Sequence, residues 1–490
     1  MHLTRKNIIA NYGSKIYSFI SIYLFVPFYI KILGAEAYGI IGLYSLLLGL
    51  ISFADAGISS AINREFAKTD DAAYKRSLLL VFEKLYLAIC LSVFLIIYLS
   101  APLITKYWLG SHNYPEEEVI YYLRLIGFGV IIQLFTSIYT GALMGQQRQV
   151  RANSLQILWS SVRGGLVIPV IFLKPGLDVF FSWTILANVM YVLVLRYSTF
   201  SLLGKTSPAN PLTLRKIDPG IWKYIGGMIV IAILSAFAMQ VDKLMVSHFF
   251  SVEVFGFYNL TTIIAQVPFF LAIPVALAVF PILTKSVASK DEGPQIAAIT
   301  RYSYLANALI LTGAVTLYFY GFELLGVWIG KSDIPAHLIP EIRQTLKLLV
   351  VANGFFAWQL VPYYYLLARG KTRYTIIQTA AQLILLFPAL YYLISLMSLP
   401  GAGMAWFIAN IGAFIYLICV MWKVILHSSW WKFLLITFIY PGLINTAIGL
   451  FLFRIAEKYE TNHSAYLFAA LTGVICILVN YAYYKKLIEK

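Results

Sequence analysis

Apolar runs of about 18 residues or more, long enough for a helix to cross a bilayer, recur about every 35 residues from one end of this chain to the other. In a bilayer core each segment must satisfy its own backbone N–H and C=O groups, so such runs fold as helices. The spans read at 8–30, 38–62, 77–101, 119–143, 154–173 and 179–201, then, after a polar linker, at 224–242, 254–283, 302–320, 348–368, 374–398, 401–422, 433–453 and 464–484. The expected fold is therefore all-α and polytopic, with about 14 transmembrane helices. The chain is 60% hydrophobic and 12% charged, with a mean hydropathy of +0.80, whereas soluble domains average about 45–50% and about 25%. No stretch is left for a soluble domain. The first run has no small-residue cleavage pattern and leads straight into the second, so it is expected to be a retained span and not a removed signal peptide.

The net charge of +16 would suit a nucleic-acid binder, but short loops between spans explain it better, since basic residues collect on the side that stays inside. With the N-terminus inside, 23 of the 37 Lys and Arg fall in inside loops, span ends or termini and nine fall outside. Both termini are therefore expected in the cytoplasm, and no nucleic-acid partner is expected. Cys90, Cys419 and Cys476 lie within apolar runs without a neighbouring cysteine, which fits buried thiols and not a disulfide framework.

An internal repeat organises the spans. The turn Gly34-Ala-Glu36-Ala-Tyr38-Gly39 returns 217 residues later as Ser251-Val-Glu253-Val-Phe255-Gly256. A second echo, Gly145-Gln-Gln-Arg148 against Gly370-Lys-Thr-Arg373, is offset by 225. Six spans per repeat with two added at the C-terminus fits both. The expected boundaries are a first six-helix bundle at 1–201, a cytoplasmic linker at 202–223 rich in proline and basic residues, a second bundle at 224–422, and two further helices at 423–490.

Charges inside a span cost roughly 2.5–3.5 kcal/mol each near its centre, so they tend to face a wet cavity or a partner. Arg163 sits in mid-span within Ser160-Ser161-Val-Arg163-Gly164-Gly165, without a carboxylate at helical spacing. It reads either as a cavity cation or as half of a pair with Asp55 or Glu83. Lys15 lies on a polar stripe with Asn11 and Ser18, and Lys84 follows Glu83 directly, so those two side chains leave the helix on different faces. Arg124 and Arg196 lie near span ends, where a long side chain reaches the headgroups. Asp55, Glu83 and Asp178 are candidates for ion coupling or structural pairing, and Gly57 would allow close helix contact. Mid-span amides, among them Gln133, Gln240, Gln266, Asn307, Asn353, Gln359 and Gln378, suit an interior able to take hydroxyl-rich material. Pro27, Pro268, Pro274, Pro281 and Pro362 would bend the spans that hold them.

The six histidines form no H-x-x-x-H or H-E-x-x-H pattern and there is no P-loop, so neither a metal-dependent enzyme nor an ATPase is expected. No cofactor or metal is implied.

Fourteen spans with both ends inside, Asn7-Ile-Ile-Ala-Asn11, the turn Leu33 to Gly39, Asp55-Ala-Gly57 followed by Arg64, and Gly370-Lys-Thr-Arg373 together resemble the polysaccharide transporter family. These are the Wzx-type flippases of the multidrug/oligosaccharidyl-lipid/polysaccharide exporter superfamily. The resemblance implies two MATE-like six-helix bundles around a central cavity, working by alternating access. It also implies translocation of undecaprenyl-pyrophosphate-linked oligosaccharide, such as an O-antigen repeat unit, across the bacterial inner membrane. The partners it implies are that lipid-linked substrate, membrane lipids and other polysaccharide assembly proteins. For an anionic pyrophosphate, fixed cations in a low-dielectric cavity are the natural ligands, and the in-span cations Lys15, Lys84 and Arg163 are the candidates. Two other readings compete. An ion-coupled drug exporter of the same superfamily would be expected to carry an acid in an N-terminal span, but residues 8–30 hold Lys15 and no Asp or Glu. A polytopic O-antigen polymerase or glycosyltransferase would need a sizeable outside loop, and the longest here run only from Pro102 to Glu118 and from Gly321 to Lys347. The coupling ion stays open between a proton, sodium and none.

Overall fold

The computed structural model describes residues 2–108, 114–204, 217–288, 291–458 and 462–487. Among these residues the chain is helical throughout and forms no β-strand. It divides into two compact units, Met1–Gly256 and Phe257–Lys490. Much of the linker near Pro211, residues 205–216, lies outside the described residues.

The first unit carries α1 (His2–Leu33), α2 (Ala35–Ile51), α3 (Phe53–Lys68), α4 (Ala72–Tyr107), α5 (Glu116–Gly145), α6 (Gln149–Ser160), α7 (Val167–Leu173), α8 (Leu177–Leu203) and α9 (Pro219–Phe249). The helix α10 (Val252–Ala265) crosses the division, and the second unit continues with α11 (Val267–Ala288), α12 (Glu292–Ile329), α13 (Ile339–Trp358), α14 (Leu360–Ala368) and α15 (Thr372–Met397). It ends with α16 (Leu399–Met421), α17 (Trp430–Leu434), α18 (Tyr440–Ala456) and α19 (Asn462–Leu487).

Twelve segments among the described residues are long and apolar enough to cross a membrane, so the protein is multi-pass and a count of 14 is approximate. The span read at 38–62 is split at Ser52 into α2 and α3, and the span read at 224–242 lies inside α9. Both long loops expected outside are shorter than the sequence suggested, because α4 runs on to Tyr107 and α12 to Ile329.

Breaks within spans have chemical causes. The α10–α11 break at Gln266 precedes Pro268, and the α13–α14 break at Gln359 precedes Pro362. Each proline lacks the N–H that would bond the carbonyl four residues back. A π-helical turn, Ser161–Gly165, separates α6 from α7, and two more, Trp422–Leu426 and Leu435–Ile439, flank α17. Such wide turns leave backbone carbonyls off the regular ladder.

The second sequence echo is real in the backbone but shifted by two. After α5, Arg148 N–H bonds Leu143 O at 2.9 Å and Gln147 N–H bonds Met144 O at 3.0 Å, with Gln147 at φ 57°. After α14, Lys371 N–H bonds Leu366 O at 2.9 Å and Gly370 N–H bonds Leu367 O at 3.0 Å, with Gly370 at φ 69°. Both are the paired-bond helix stop that needs a left-handed residue. Gln147, and not Gly145, is thus the counterpart of Gly370, at an offset of 223.

Within the second unit, Trp358 and Phe414 pack at 4.6 Å between ring centres, with Phe433 and Phe438 against them, at the centre of a buried cluster. The helices α18 and α19 dock on α12 through a polar seam. Asn480 Nδ2 donates to Asn445 Oδ1 at 2.7 Å, and the Tyr304 hydroxyl donates to the Asn480 carbonyl at 2.9 Å. Buried amides of this kind fix which helix faces meet. Other mid-span amides also bond between helices: Asn307 Nδ2 reaches Thr437 O at 2.7 Å, and Gln378 donates to Gln359.

Candidate functional site

A cavity of about 380 Å³ opens in the first unit between α3, α5, α6 and α8. Its longest wall is one face of α5. Gln133, Thr136, Ser137 and Thr140 follow at helical spacing and stand in one line. Ser59 and Ser60 face them from α3, and Trp159 and Tyr191 close the far side.

The helices forming this wall approach closely because of a small-residue pair. A methyl built on Gly141 would lie 2.6 Å from the Ser59 carbonyl oxygen, and one on Gly145 would lie 2.5 Å from that of Asn63. Gly141 and Gly145 are four apart, as are Ser59 and Asn63, so the two backbones touch along a turn. Gly57 makes the close contact expected of it, since a methyl there would lie 2.8 Å from the Ile225 carbonyl oxygen on α9.

The hydroxyls have a defined polarity. Thr136 donates to Gln133 O at 2.7 Å, Ser137 to Leu134 O at 2.6 Å, Thr140 to Ser137 O at 3.0 Å, and Ser59 to Ser137 O at 3.0 Å. Each proton is spent on a backbone carbonyl, and the oxygen lone pairs remain as acceptors. A wall of acceptors suits a ligand rich in hydroxyl donors. Across from it the Trp159 and Tyr191 rings stack at 4.8 Å with planes 12° apart.

Arg163 stands behind Gln133 and Trp159, which both line the cavity. It lies in the π-helical turn, where the Trp183 indole takes up the Val162 carbonyl at 3.0 Å and the Tyr29 hydroxyl takes up the Gly164 carbonyl at 2.6 Å. The turn is held open by side chains from α1 and α8. The guanidinium donates to Gln133 Oε1 at 2.9 Å and lies over the Trp159 ring at 4.7 Å and the Tyr44 ring at 5.8 Å. Around it the Tyr44 hydroxyl donates to Gln133 Oε1 at 2.5 Å, Asn188 Nδ2 donates to the Tyr44 oxygen at 3.0 Å, and the Trp159 indole donates to Asn188 Oδ1 at 3.1 Å. The cation is thus positioned by neutral groups alone. Among the described residues no carboxylate lies within ion-pair distance of it.

The pairing weighed for Arg163 with Glu83 is taken by Arg196. Arg196 Nε meets Glu83 Oε1 at 3.0 Å, and the Tyr139 hydroxyl donates to the same oxygen at 2.6 Å. Arg196, expected to reach for headgroups, instead joins α8 to α4. Asp55, in the first turn of α3, lies beside the Tyr86 and Ser137 hydroxyls, but its Oδ1 is buried without a bond of good geometry. It has no cation within ion-pair distance among the described residues. Lys15 and Lys84 are exposed on α1 and α4 and do not line this cavity. Asn11, proposed as Lys15's neighbour, has a side chain outside the described residues. Asp178 lies in the first turn of α8, where a carboxylate is favoured by the helix dipole.

Of the cavity's polar groups the sequence pointed to Gln133, and behind the wall it pointed to Arg163. It missed the α5 hydroxyls, although Gln133-x-x-Thr136-Ser137-x-x-Thr140 was there to be read as a stripe. Ser59, Ser60 and the Trp159–Tyr191 stack had no comparable signal, since helix packing alone brings them together.

The sequence model of the polysaccharide biosynthesis protein family matches residues 4–287. A Shigella flexneri protein named as an O-antigen transporter is 21% identical over 378 residues, covering 76% of this chain and 87% of its own. Among solved structures, the lipid II flippase MurJ in an inward closed conformation superposes with a TM-score of 0.74 at 14% identity, over 98% of this chain and 99% of its own. An inward-facing multidrug resistance MATE family transporter of the MOP superfamily gives a TM-score of 0.67 at 16% identity, over 86% and 96%.

Proposed function

The chain belongs to the polysaccharide biosynthesis protein family, and on that premise we propose that it is a flippase for undecaprenyl-pyrophosphate-linked oligosaccharide repeat units, O-antigen or a similar surface polysaccharide, working by alternating access. The observation that carries this reading is Arg163, a mid-span cation held by Gln133, Trp159 and Tyr44 with no carboxylate within ion-pair distance among the described residues. Its unspent charge suits a pyrophosphate, to which a guanidinium fork binds in bidentate fashion. The acceptor hydroxyls of α3 and α5 then take the donors of the sugar, and the Trp159–Tyr191 stack offers a sugar ring an apolar face. Of the three candidate cations, Arg163 is the one we assign to the pyrophosphate. Lys15 and Lys84, both exposed, are placed outside this cavity. Asp55 is the acid we assign to ion coupling, because its Oδ1 is buried without a bond and no cation lies within ion-pair distance of it among the described residues. The protein then resides in the bacterial inner membrane with both termini in the cytoplasm.

A named relative for O-antigen transport and a lipid II flippase fold support a lipid-linked substrate. The cavity's lack of acidic lining speaks against a cation exporter. The test is a clean deletion in a strain without a second flippase. Lipid-linked repeat units should accumulate on the cytoplasmic leaflet and surface polymer should disappear. Normal surface polymer would sink the proposal, and chain-length change without translocation by the purified protein would point to a polymerase.

A further inference from the structure

We propose that a second, separate groove in the unit Phe257–Lys490 binds the headgroup of an anionic phospholipid of the bilayer. The groove has a volume of about 570 Å³ and lies between the end of α11, the start of α12 and the short helix α17. Its rim carries Arg301 and Lys432 with the hydroxyl-bearing Thr300 and Ser429, and its floor is apolar, with Ile296 and Phe433. Cations and hydroxyls above an apolar floor match a phosphodiester with a polar headgroup on top of an acyl chain.

The two cations are available. The Arg301 guanidinium lies over the Tyr484 ring at 5.5 Å, and neither Arg301 nor Lys432 has a carboxylate within ion-pair distance among the described residues. The nearby acids are engaged elsewhere. Asp291 accepts from the Gly293 N–H at 3.1 Å, and Glu292 meets His427 Nε2 at 3.8 Å.

The groove also has the composition of a membrane edge. Trp430 and Trp431, the two residues before Lys432, are 37% and 51% exposed, as interfacial tryptophans are. The α11–α12 and α16–α17 connections that form it are both inside loops by the Lys/Arg bias, and the inner leaflet is where anionic lipids give a basic pocket something to hold. Its residues share nothing with the Arg163 cavity, which belongs to the other unit. A polyprenyl phosphate would offer the same phosphate, but its monoester lacks the headgroup that Thr300 and Ser429 are placed to bond.

Native mass spectrometry of the purified full chain, titrated with phosphatidylglycerol, phosphatidylcholine and undecaprenyl phosphate, tests this. Phosphatidylglycerol should bind the wild type about tenfold more tightly than phosphatidylcholine, and the double variant Arg301→Gln/Lys432→Gln should lose that preference. The charge-keeping variant Arg301→Lys/Lys432→Arg should retain most of it, which separates a lost site from a lost fold, and Arg163→Ala should retain all of it. Three results would each overturn the proposal: no preference in the wild type, an unchanged preference in a folded Gln variant, or undecaprenyl phosphate displacing phosphatidylglycerol at equal concentration.

Discussion

Gly39 and Gly256 occupy the same position in the two copies of one motif, and in the first unit they meet, with a methyl built on Gly256 lying 3.1 Å from the Gly39 Cα. A methyl on Gly39 would lie 2.0 Å from the Val252 carbonyl oxygen, a contact that backbone cannot relieve by a rotamer change. Gly39→Ala is therefore expected to lower stability by about 1–3 kcal/mol, as overpacking does. Gly412→Ala, where the added methyl meets nothing within 4 Å, should be neutral or stabilising by up to about 1 kcal/mol. Thermal melts of the two variants beside wild type decide it, and equal melts would mean that the α2–α10 contact is looser than described.

Arg163→Ala should reduce transport at least about tenfold, the loss expected for one charge-assisted contact, with abundance nearly unchanged because no buried carboxylate is stranded by the change. Arg163→Lys should keep part of the activity, since charge survives but the planar fork does not. Full transport in Arg163→Ala would remove the residue from the substrate site. Abundance and transport falling together would mean that its contacts with Gln133, Trp159 and Tyr44 serve the fold.

What the sequence made legible was whatever repeats or keeps a helical period. The spans and the motif at offset 217 followed from hydropathy and spacing, whereas the mid-span amides divide: Gln133 lines the cavity, but Asn307 and Gln378 bond between helices. The second echo misled by two residues because it matched Gly145 to Gly370 by type, whereas the structure matches Gln147 to Gly370 by backbone. Left-handed geometry favours glycine without requiring it, so residue identity was a poor guide there. The π-helical turn around Arg163 depends on Tyr29, 135 residues from Gly164, and on Trp183, 21 residues beyond Val162 on the following helix α8. Nothing local announces it. The Glu83–Arg196 pair was hidden for the same reason, since its partners are 113 residues apart.

That pair yields an asymmetric expectation. Glu83 is the more buried partner, with 14% of its side chain exposed against 49% for Arg196, and it accepts from both Arg196 and Tyr139. Glu83→Ala leaves the buried Tyr139 hydroxyl unpaired and should cost about 1–3 kcal/mol. Arg196→Ala leaves Glu83 its tyrosine donor and should cost under about 1 kcal/mol, as exposed ion pairs do. Transport measured per folded molecule should stay near wild type in both. A specific transport defect in either would place this pair in the mechanism.

Topology can be read with reporter fusions. A fusion at residue 211, outside the described residues, and fusions at both termini should report a cytoplasmic location, from the bias of 23 basic residues inside against nine outside. A periplasmically active fusion at 211 would mean an odd number of crossings before it. The most exposed assignment would then be the pass made of α2 and α3, which is broken at Ser52.

The sharpest test of the proposed site is to neutralise the cation behind the cavity wall without removing it. Gln133 Oε1 already accepts from Arg163 at 2.9 Å and from Tyr44 at 2.5 Å, so Gln133→Glu places a carboxylate of the same shape in the same position. An ion pair forms in a low-dielectric setting with both donors kept, and folding stability should be equal to or above that of wild type. The guanidinium no longer has charge to offer a pyrophosphate, so transport should fall about as far as in Arg163→Ala. Gln133→Leu separates the alternatives, because it leaves the Tyr44 and Arg163 donors without an acceptor and should lower stability by about 1–3 kcal/mol. A stable Gln133→Glu protein with wild-type transport would show that the charge on Arg163 is not used on the substrate, whatever the arginine does for the fold.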